Sequence, residues 1–396
     1  MNDVAVRALR DDEFRSAHRL FRAALHAGPG TDEEWERVRP VFQPGRVLGA
    51  FDEQLVGTAR SMDAELVVPG GARVPLAAVT GVGVRADRTR RGVLTGLMRT
   101  QLAELAGRGV SAATLYATEG AIYGRFGYGI AGRARSYTVS RQRARLRPDA
   151  PEGGRIEMLD LDEAERRLPD VYSALPLRPG MMSRDRWWPG LFAGLRSGDD
   201  PAVALVHHGA DGPDGFALYR VSRDSGMSAT LRVVDLHSGN ATAFAGLWRF
   251  LLGVDLVDTV IARNRPLDEP VELLLTDPRA CETTELTDET WLRLVDVEAA
   301  LAARTWQGAP LVLEVTDPVL DHNTGRYRVG PDEVSRTDEP ADAALGVAEL
   351  AMMFAGGWLP SALVDAGRIS VLDPGVAVRL DELARTRRAP WCGTFF

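Results

Sequence analysis

A turn rich in arginine and glycine, Thr89-Arg90-Arg91-Gly92-Val93-Leu94, has the residue types that an anion-binding site needs. A helix that begins at about Gly92 would leave backbone N–H groups without partners at its N-terminus, where a pyrophosphate binds well. The two arginines add positive charge, and a glycine lets the backbone approach a ligand closely. Arginine and glycine also occur at ordinary solvated helix starts. Since neither G-x-x-x-x-G-K nor G-x-G-x-x-G is present, the turn taken alone allows both interpretations.

The elements around this turn can be predicted from the apolar pattern. A short strand over 4–9 precedes a helix whose apolar residues recur at helical spacing. Three strand-like runs between 45 and 84, with a Gly/Pro turn between the last two, indicate an antiparallel meander. An amphipathic helix over 93–108 and a strand over 112–118 then complete a βαβ unit around the turn.

The remainder of the chain repeats this mixed character. A charged, irregular stretch over 143–155 is typical of a linker. Strands are predicted over 201–208, 214–223 and 229–238, with a helix over 241–255 and a strand over 259–264. After residue 290 we expect strands over 309–317 and 325–330, and helices over 341–357 and 359–366. At 396 residues, this organisation predicts three domains.

Composition excludes several classes of function. The net charge of −8 argues against a nucleic-acid-binding protein and suits a cationic ligand. No apolar run has the length of a membrane-spanning helix and no secretory signal precedes the first strand, so a cytoplasmic location is expected, without membrane partners. Cys281 and Cys392 lie far apart, and no histidine or cysteine has metal-ligand spacing, so no metal is expected.

The run EGAIYGRFGYG (119–129), together with the turn at Gly92, resembles the enhanced intracellular survival branch of the GNAT acetyltransferases. The likeness continues through RPGMMSRDRWW (178–188), LWRFLLGVDLVDTV (247–260) and LTDPRA (275–280). The GNAT turn is usually Arg/Gln-x-x-Gly-x-Gly/Ala, so Thr89 and Leu94 depart from it. The resemblance implies an α+β chain with an N-terminal GNAT domain (1–148), a degenerate GNAT-like middle domain (149–288) and a sterol-carrier-protein-like domain (289–396).

The resemblance also implies two catalytic groups. Tyr123 aligns with the family's general acid, and a phenol, with a pKa of about 10, can protonate a thiolate leaving group. Tyr128 is the competing candidate, and aromatic packing would explain either residue. The free carboxylate of Phe396 is implied as the general base, although its ordinary pKa of roughly 3.3–3.7 means that the role requires burial among apolar neighbours, or proton relay through water. A docked segment that only packs is the alternative for Phe396.

Acetyl-CoA is the implied acetyl donor, and the resemblance assigns its contacts by position. They are the backbone groups of Val82 and Val84 on the splayed strand, then Arg90, Arg91, Gly92, Val93 and Leu94 at the turn, and Thr118. Trp35 with Asp32, Glu33 and Glu34 forms the candidate acceptor site, because acids attract and aromatic faces hold a cationic amine. The same acids would also suit an ordinary helix start.

Acetyl transfer to an aminoglycoside, polyamine or lysine-type amine is therefore the predicted activity. The competing hypothesis is a lipid- or partner-binding protein whose acetyltransferase domain has decayed, as the departures at Thr89 and Leu94 would allow. A homo-hexamer is implied by the resemblance alone.

Overall fold

The first 130 residues form the meander and the βαβ unit that the apolar periodicity predicts. The structure is a computed structural model, which describes residues 4–198, 200–223 and 228–396. The first elements are β1 (Ala5–Ala8), α1 (Phe14–Ala24), α2 (Asp32–Val38), β2 (Val47–Asp52), β3 (Gln54–Val67), β4 (Arg73–Val84), α3 (Val93–Gly107), β5 (Ala112–Leu115) and β6 (Gly129–Ile130). Strands β2, β3 and β4 pair antiparallel, and β4 pairs parallel with β5 across the helix α3. Both predictions are confirmed.

The middle of the chain builds a second seven-stranded sheet. Its elements are β7 (Arg133–Ser140), β8 (Arg155–Leu159), α4 (Leu161–Ala174), α5 (Trp188–Ser197), β9 (Ala202–Gly209), β10 (Gly212–Arg223), β11 (Ala229–Ser238), α6 (Ala241–Gly253), β12 (Thr259–Pro266) and β13 (Cys281–Asp288). The strand order is β13-β7-β12-β11-β10-β9-β8. The predicted strands and the helix after β11 are confirmed, with a core that includes the fully buried Trp248 of α6.

The last hundred residues add a third sheet with helices. The elements are β14 (Trp291–Leu294), α7 (Val297–Ala303), β15 (Leu311–Thr316), β16 (Gly325–Val329), β17 (Val334–Arg336), β18 (Ala343–Gly346), α8 (Val347–Phe354), α9 (Pro360–Asp365), β19 (Ile369–Val371) and α10 (Pro374–Leu383). The helix predicted over 341–357 is wrong at its start, where β18 pairs parallel with β15 and antiparallel with β19. Sheet pairing on both sides overrides the local preference of an alanine-rich run for helix.

The strand β14 does not join this third sheet. It lies in the first sheet, between β5 and β6, in the order β1-β2-β3-β4-β5-β14-β6. Residues 289–396 accordingly form one compact unit with residues 1–132 and the short segment 178–182. The domain boundaries at 148 and 288 stay predictions.

Strands β4 and β5 are parallel neighbours only at their beginnings. The ladder joins Leu76–Ala78 to Ala112–Thr114, and β4 continues to Val84 beyond it. A register shift against β3 falls between Thr58 and Arg60, and Gly81 there has a φ of +62°. Such a bulge bends and twists a strand locally, so the second half of β4 diverges from β5.

Candidate active site

The turn before α3 presents an uncapped helix start to solvent. Gly92 is the N-cap residue with a φ of +83°, and no side chain bonds to the first-turn amides. A Cβ at Gly92 would meet no atom within 4 Å, so the space before the helix is open. Arg90 and Arg91 are exposed, and across the described residues no salt bridge involves either. This start has the amides and the free charge that a diphosphate requires.

Neighbouring charges hold this turn in place. Arg88 binds Asp52 on β2 at 3.0 Å, and both Arg85 and Arg88 bind Asp87. Val93 packs its side chain in the core, so only its backbone N–H faces the turn. The turn is therefore preorganised, and the half-buried Leu94 is likewise placed to offer an amide.

The diverging half of β4 supplies an extended backbone edge next to the turn. Val82 and Val84 are half-buried, and both pack their side chains against the sheet core below α3. Beyond Ala78 the β4–β5 ladder has ended, so backbone N–H and C=O groups on this side can pair with an extended ligand, as an added strand would. Thr118 is exposed, three residues past the end of β5.

The two candidate tyrosines lie in one loop, with their ring centroids 5.9 Å apart. Tyr123 is 6% exposed, and burial together with the charge of Glu119 raises its pKa. Tyr128 is 1% exposed, burial raises its pKa further, and its hydroxyl is one of the buried atoms without a hydrogen-bond partner in the described parts of the chain. Both phenols therefore stay protonated at neutral pH, and Tyr128 is the more enclosed.

Residues 391–396 are docked against the first sheet. The Tyr116 hydroxyl donates to the Thr394 carbonyl at 2.9 Å, and Thr80 Oγ1 on β4 donates to the main-chain oxygen of Phe396 at 3.4 Å. The ring of Tyr116 contacts the rings of Phe395 and Phe396, with centroids 5.0 and 5.2 Å away. The structure thus brings Phe396 to the diverging half of β4.

The predicted acceptor residues have different surroundings. Trp35 is 9% exposed and packs in a cluster with Phe42, whose ring centroid is 5.3 Å away. Asp32 is exposed and pairs with Arg15, Glu33 is exposed, and Glu34 completes a capping box with Thr31. Helix capping and core packing are the roles that the structure records for Glu34 and Trp35.

Sequence reasoning missed the residues that hold the catalytic candidates. Thr80 and Glu289 both hydrogen-bond the 391–396 segment, and Arg293 donates from Nε to the Phe126 carbonyl in the tyrosine loop at 2.8 Å. Thr80 stood out only as a polar residue in an apolar strand. Glu289 and Arg293 gave no local signal of these roles, because the Glu289 bonds to residues 392–393 and the Arg293 bond to Phe126 each span more than a hundred positions.

The second sheet repeats the strand divergence without the open helix start. The β11–β12 ladder covers Thr230–Val233, after which the buried Arg265 guanidinium donates to the Leu236 carbonyl at 2.8 Å. The side chain of Asn240 caps α6 by accepting from Ala243 N at 2.8 Å. In the second sheet, Arg265 therefore occupies the diverging edge of β11 and Asn240 occupies the start of α6. The corresponding strand edge and helix start are open in the first sheet.

A histidine of the middle region has a structural role. His207 is fully buried, receives the Gly154 N–H on Nε2 at 2.8 Å and bonds Asp214 through Nδ1 at 2.5 Å. Within the described residues no group of three or more His, Cys, Asp or Glu side chains has metal-site geometry. None of the described helices is both long and apolar enough to cross a membrane.

Comparison with known proteins agrees with this architecture. Two models described as acetyltransferase (GNAT) domains match residues 5–131 and 180–294, and a sterol carrier protein domain model matches 297–393. The predicted fold class, two GNAT-like domains followed by a sterol-carrier-like domain, is confirmed.

Full-length relatives are also similar. An uncharacterized N-acetyltransferase of Streptomyces avermitilis is 37% identical over 98% of both chains. N-acetyltransferase Eis of Mycobacterium tuberculosis is 34% identical over 89% of both. The crystal structure of Eis1 from Mycobacterium abscessus superposes with a TM-score of 0.91 at 38% identity, covering 99% of this chain and all of that one.

Proposed function

The chain belongs to the Eis-like family of GNAT N-acetyltransferases, and we propose that it moves the acetyl group of acetyl-CoA to an amine of a cationic acceptor, of aminoglycoside, polyamine or lysine type. Its GNAT domains imply acetyl-CoA as a substrate, and the chain is an acyltransferase. The observation that carries the proposal is the open helix start at Gly92 in the same compact unit as the Tyr123 loop and the docked Phe396.

Donor binding begins at the turn. The diphosphate of acetyl-CoA would accept the N–H groups of Gly92, Val93 and Leu94, with Arg90 and Arg91 neutralising its charge. Val82 and Val84 would bind the extended arm through their backbone groups. Thr118 would contact the donor from the end of β5. The exposure of the turn and the end of the β4–β5 ladder at Ala78 support these roles.

Transfer requires a base, an acid and a polarised carbonyl. The acceptor nitrogen attacks the thioester carbonyl carbon, its proton passes to the terminal carboxylate of Phe396, and the C–S bond breaks as Tyr123 protonates the departing sulfur. Burial and the charge of Glu119 raise the pKa of Tyr123, which keeps its hydroxyl protonated and able to act as the acid. The Phe396 ring packs against Tyr116, and the Thr80 hydroxyl donates to the main-chain oxygen of Phe396; these contacts would hold the carboxylate near β4.

The acceptor would be held by Trp35, Asp32 and Glu33. The net charge of −8 favours the approach of a polycation. Asp32 is 89% exposed and can exchange Arg15 for a substrate ammonium, because surface ion pairs are weak. The cluster around Trp35 includes Phe42, which adds a second aromatic face beside it. A cytoplasmic location and a homo-hexamer complete the proposal.

Acetyl-CoA-dependent release of free thiol, measured with a panel of polyamines and aminoglycosides, tests this function. We expect turnover with at least one polyamine or aminoglycoside, and acetyl-CoA binding in their absence. Failure to bind acetyl-CoA would contradict the proposal and would favour the lipid- or partner-binding alternative. Binding without any transfer would reject the cationic acceptors while leaving the donor site intact.

A further inference from the structure

We propose that Glu289 is the positioning residue for the carboxylate of Phe396, an inference that rests on the proposed function. Glu289 lies two residues before β14 and is 4% exposed. Its two carboxylate oxygens accept consecutive backbone amides of the docked segment: Oε2 from Cys392 N at 2.9 Å and Oε1 from Gly393 N at 2.8 Å. Hydrogen bonds to an ionised acceptor are about twice as strong as neutral ones.

Glu289 is itself fixed to the first sheet. Its N–H donates to the Gly132 carbonyl at 2.9 Å, and the next residue, Thr290, accepts the Ala131 and Gly132 amides. Strand β14 begins at Trp291, directly after Thr290, and pairs with β5 and β6 on either side. The Glu289 carboxylate therefore holds the docked segment at a fixed position relative to β14, a strand inside the first sheet.

Other contacts lie beyond Gly393. The Thr394 carbonyl accepts from the Tyr116 hydroxyl at 2.9 Å and from Cys392 Sγ at 3.5 Å, and Phe396 accepts a 3.4 Å bond from Thr80. The Phe395 side chain is 80% exposed. Three residues of chain span at most roughly 10 Å at full extension. We expect loss of the bonds at 392–393 to let Phe396 shift, and a misplacement of ~1 Å can cost an active site about 10²-fold.

The Glu289 carboxylate also packs closely against Gly132. A Cβ at Gly132 would lie 3.0 Å from Glu289 Oε2 and 2.7 Å from Thr290 Oγ1. Gly132→Ala would therefore displace the carboxylate without altering its charge. Substitution of this glycine is a second and independent way to disturb the hydrogen bonds between Glu289 and residues 392–393.

The test uses Glu289→Gln in the full chain, because the carboxamide can accept one amide but turns an NH₂ toward the other. We expect kcat to fall by about 10- to 100-fold, with an unchanged KM for acetyl-CoA and faster hydrogen exchange of the amides in 391–396. Gly132→Ala should act in the same direction, and Glu289→Asp, which keeps the charge, should retain more activity than Glu289→Gln. Glu282→Gln, at an exposed glutamate, is the matched control.

Wild-type kcat in Glu289→Gln would overturn the inference, and so would a loss of kcat without faster exchange in 391–396. If Glu289→Gln does not fold, Glu289→Asp and Gly132→Ala decide by the same two readouts. A chain that lacks Phe396 distinguishes failure of the proposed function from failure of this inference. Full activity in that chain rejects the base in the proposed function, whereas an inactive deletion beside a fully active Glu289→Gln rejects this inference alone.

Discussion

The Thr80 hydroxyl on β4 donates to the main-chain oxygen of Phe396 across 3.4 Å, although the two residues are 316 positions apart. β4 is also the strand that diverges from β5 and leads to the turn at Gly92. One strand thus joins the candidate donor site to the candidate base. The proposed chemistry follows from this shared support.

Tyr123→Phe should lower kcat by about 10²- to 10³-fold, because it removes the proposed proton donor while keeping the ring. Binding of acetyl-CoA, measured by calorimetry, should be unchanged. Tyr128→Phe is the matched control in the same loop. Because the Tyr128 hydroxyl is buried without a partner in the described residues, its removal should preserve kcat and stabilise the fold by about 1–3 kcal/mol. If Tyr128→Phe lowered kcat and Tyr123→Phe preserved it, Tyr128 would be the acid.

The dependence of kcat on pH should lack an alkaline limb from Tyr123 below pH 10. Burial and Glu119 both disfavour the phenolate, so its pKa lies above the ordinary value of 10.0. The protonated and active form therefore persists through this range and is lost only as pH rises above it. Steady-state rates in buffers from neutral to pH 10 check this. A fall in kcat at lower pH that disappears in Tyr123→Phe would contradict the assignment.

Local sequence patterns predicted most of the helices and strands whose formation depends on interactions close in sequence. The meander, α3 and the helix α6 followed from their apolar runs, and α3 in addition buries one face at helical spacing. The helix prediction failed for the run before α8, because a short apolar segment has no periodicity that distinguishes a buried strand from a helix. Only its pairing with β15 and β19 makes this run a strand. The hydrogen bonds from the amides of residues 392 and 393 to the Glu289 carboxylate could not be predicted, because they join residues 103 and 104 positions apart.

Replacing Arg90 and Arg91 together by alanine should weaken acetyl-CoA binding by about tenfold, since two exposed cations at the turn would be lost. The melting temperature should stay within a few degrees, because neither side chain has an ion partner among the described residues. Arg99→Ala, at an exposed arginine of α3, the helix that follows the turn, is the control. Equal affinity in the double variant and the wild type would remove these arginines from the donor site.

Each chain should bind one acetyl-CoA. Asn240 already caps α6 and Arg265 bonds the diverging part of β11, so among the described residues of the second sheet the counterpart of the Gly92 turn is not open. Calorimetric stoichiometry should therefore be about one per chain. Asn240→Ala should cost about 1 kcal/mol of stability without changing that value. A stoichiometry of two would show that the middle domain also accepts the donor.

The most direct test of the account compares the wild type with a chain that lacks Phe396 and a chain extended by one glycine after it. Both changes move or remove the carboxylate next to Thr80 while leaving the Gly92 turn and Tyr123 in place. We predict that transfer falls by at least about 10²-fold in both variants, with unchanged acetyl-CoA affinity and unchanged thermal unfolding. Wild-type turnover in either variant would contradict the role of the Phe396 carboxylate as the base.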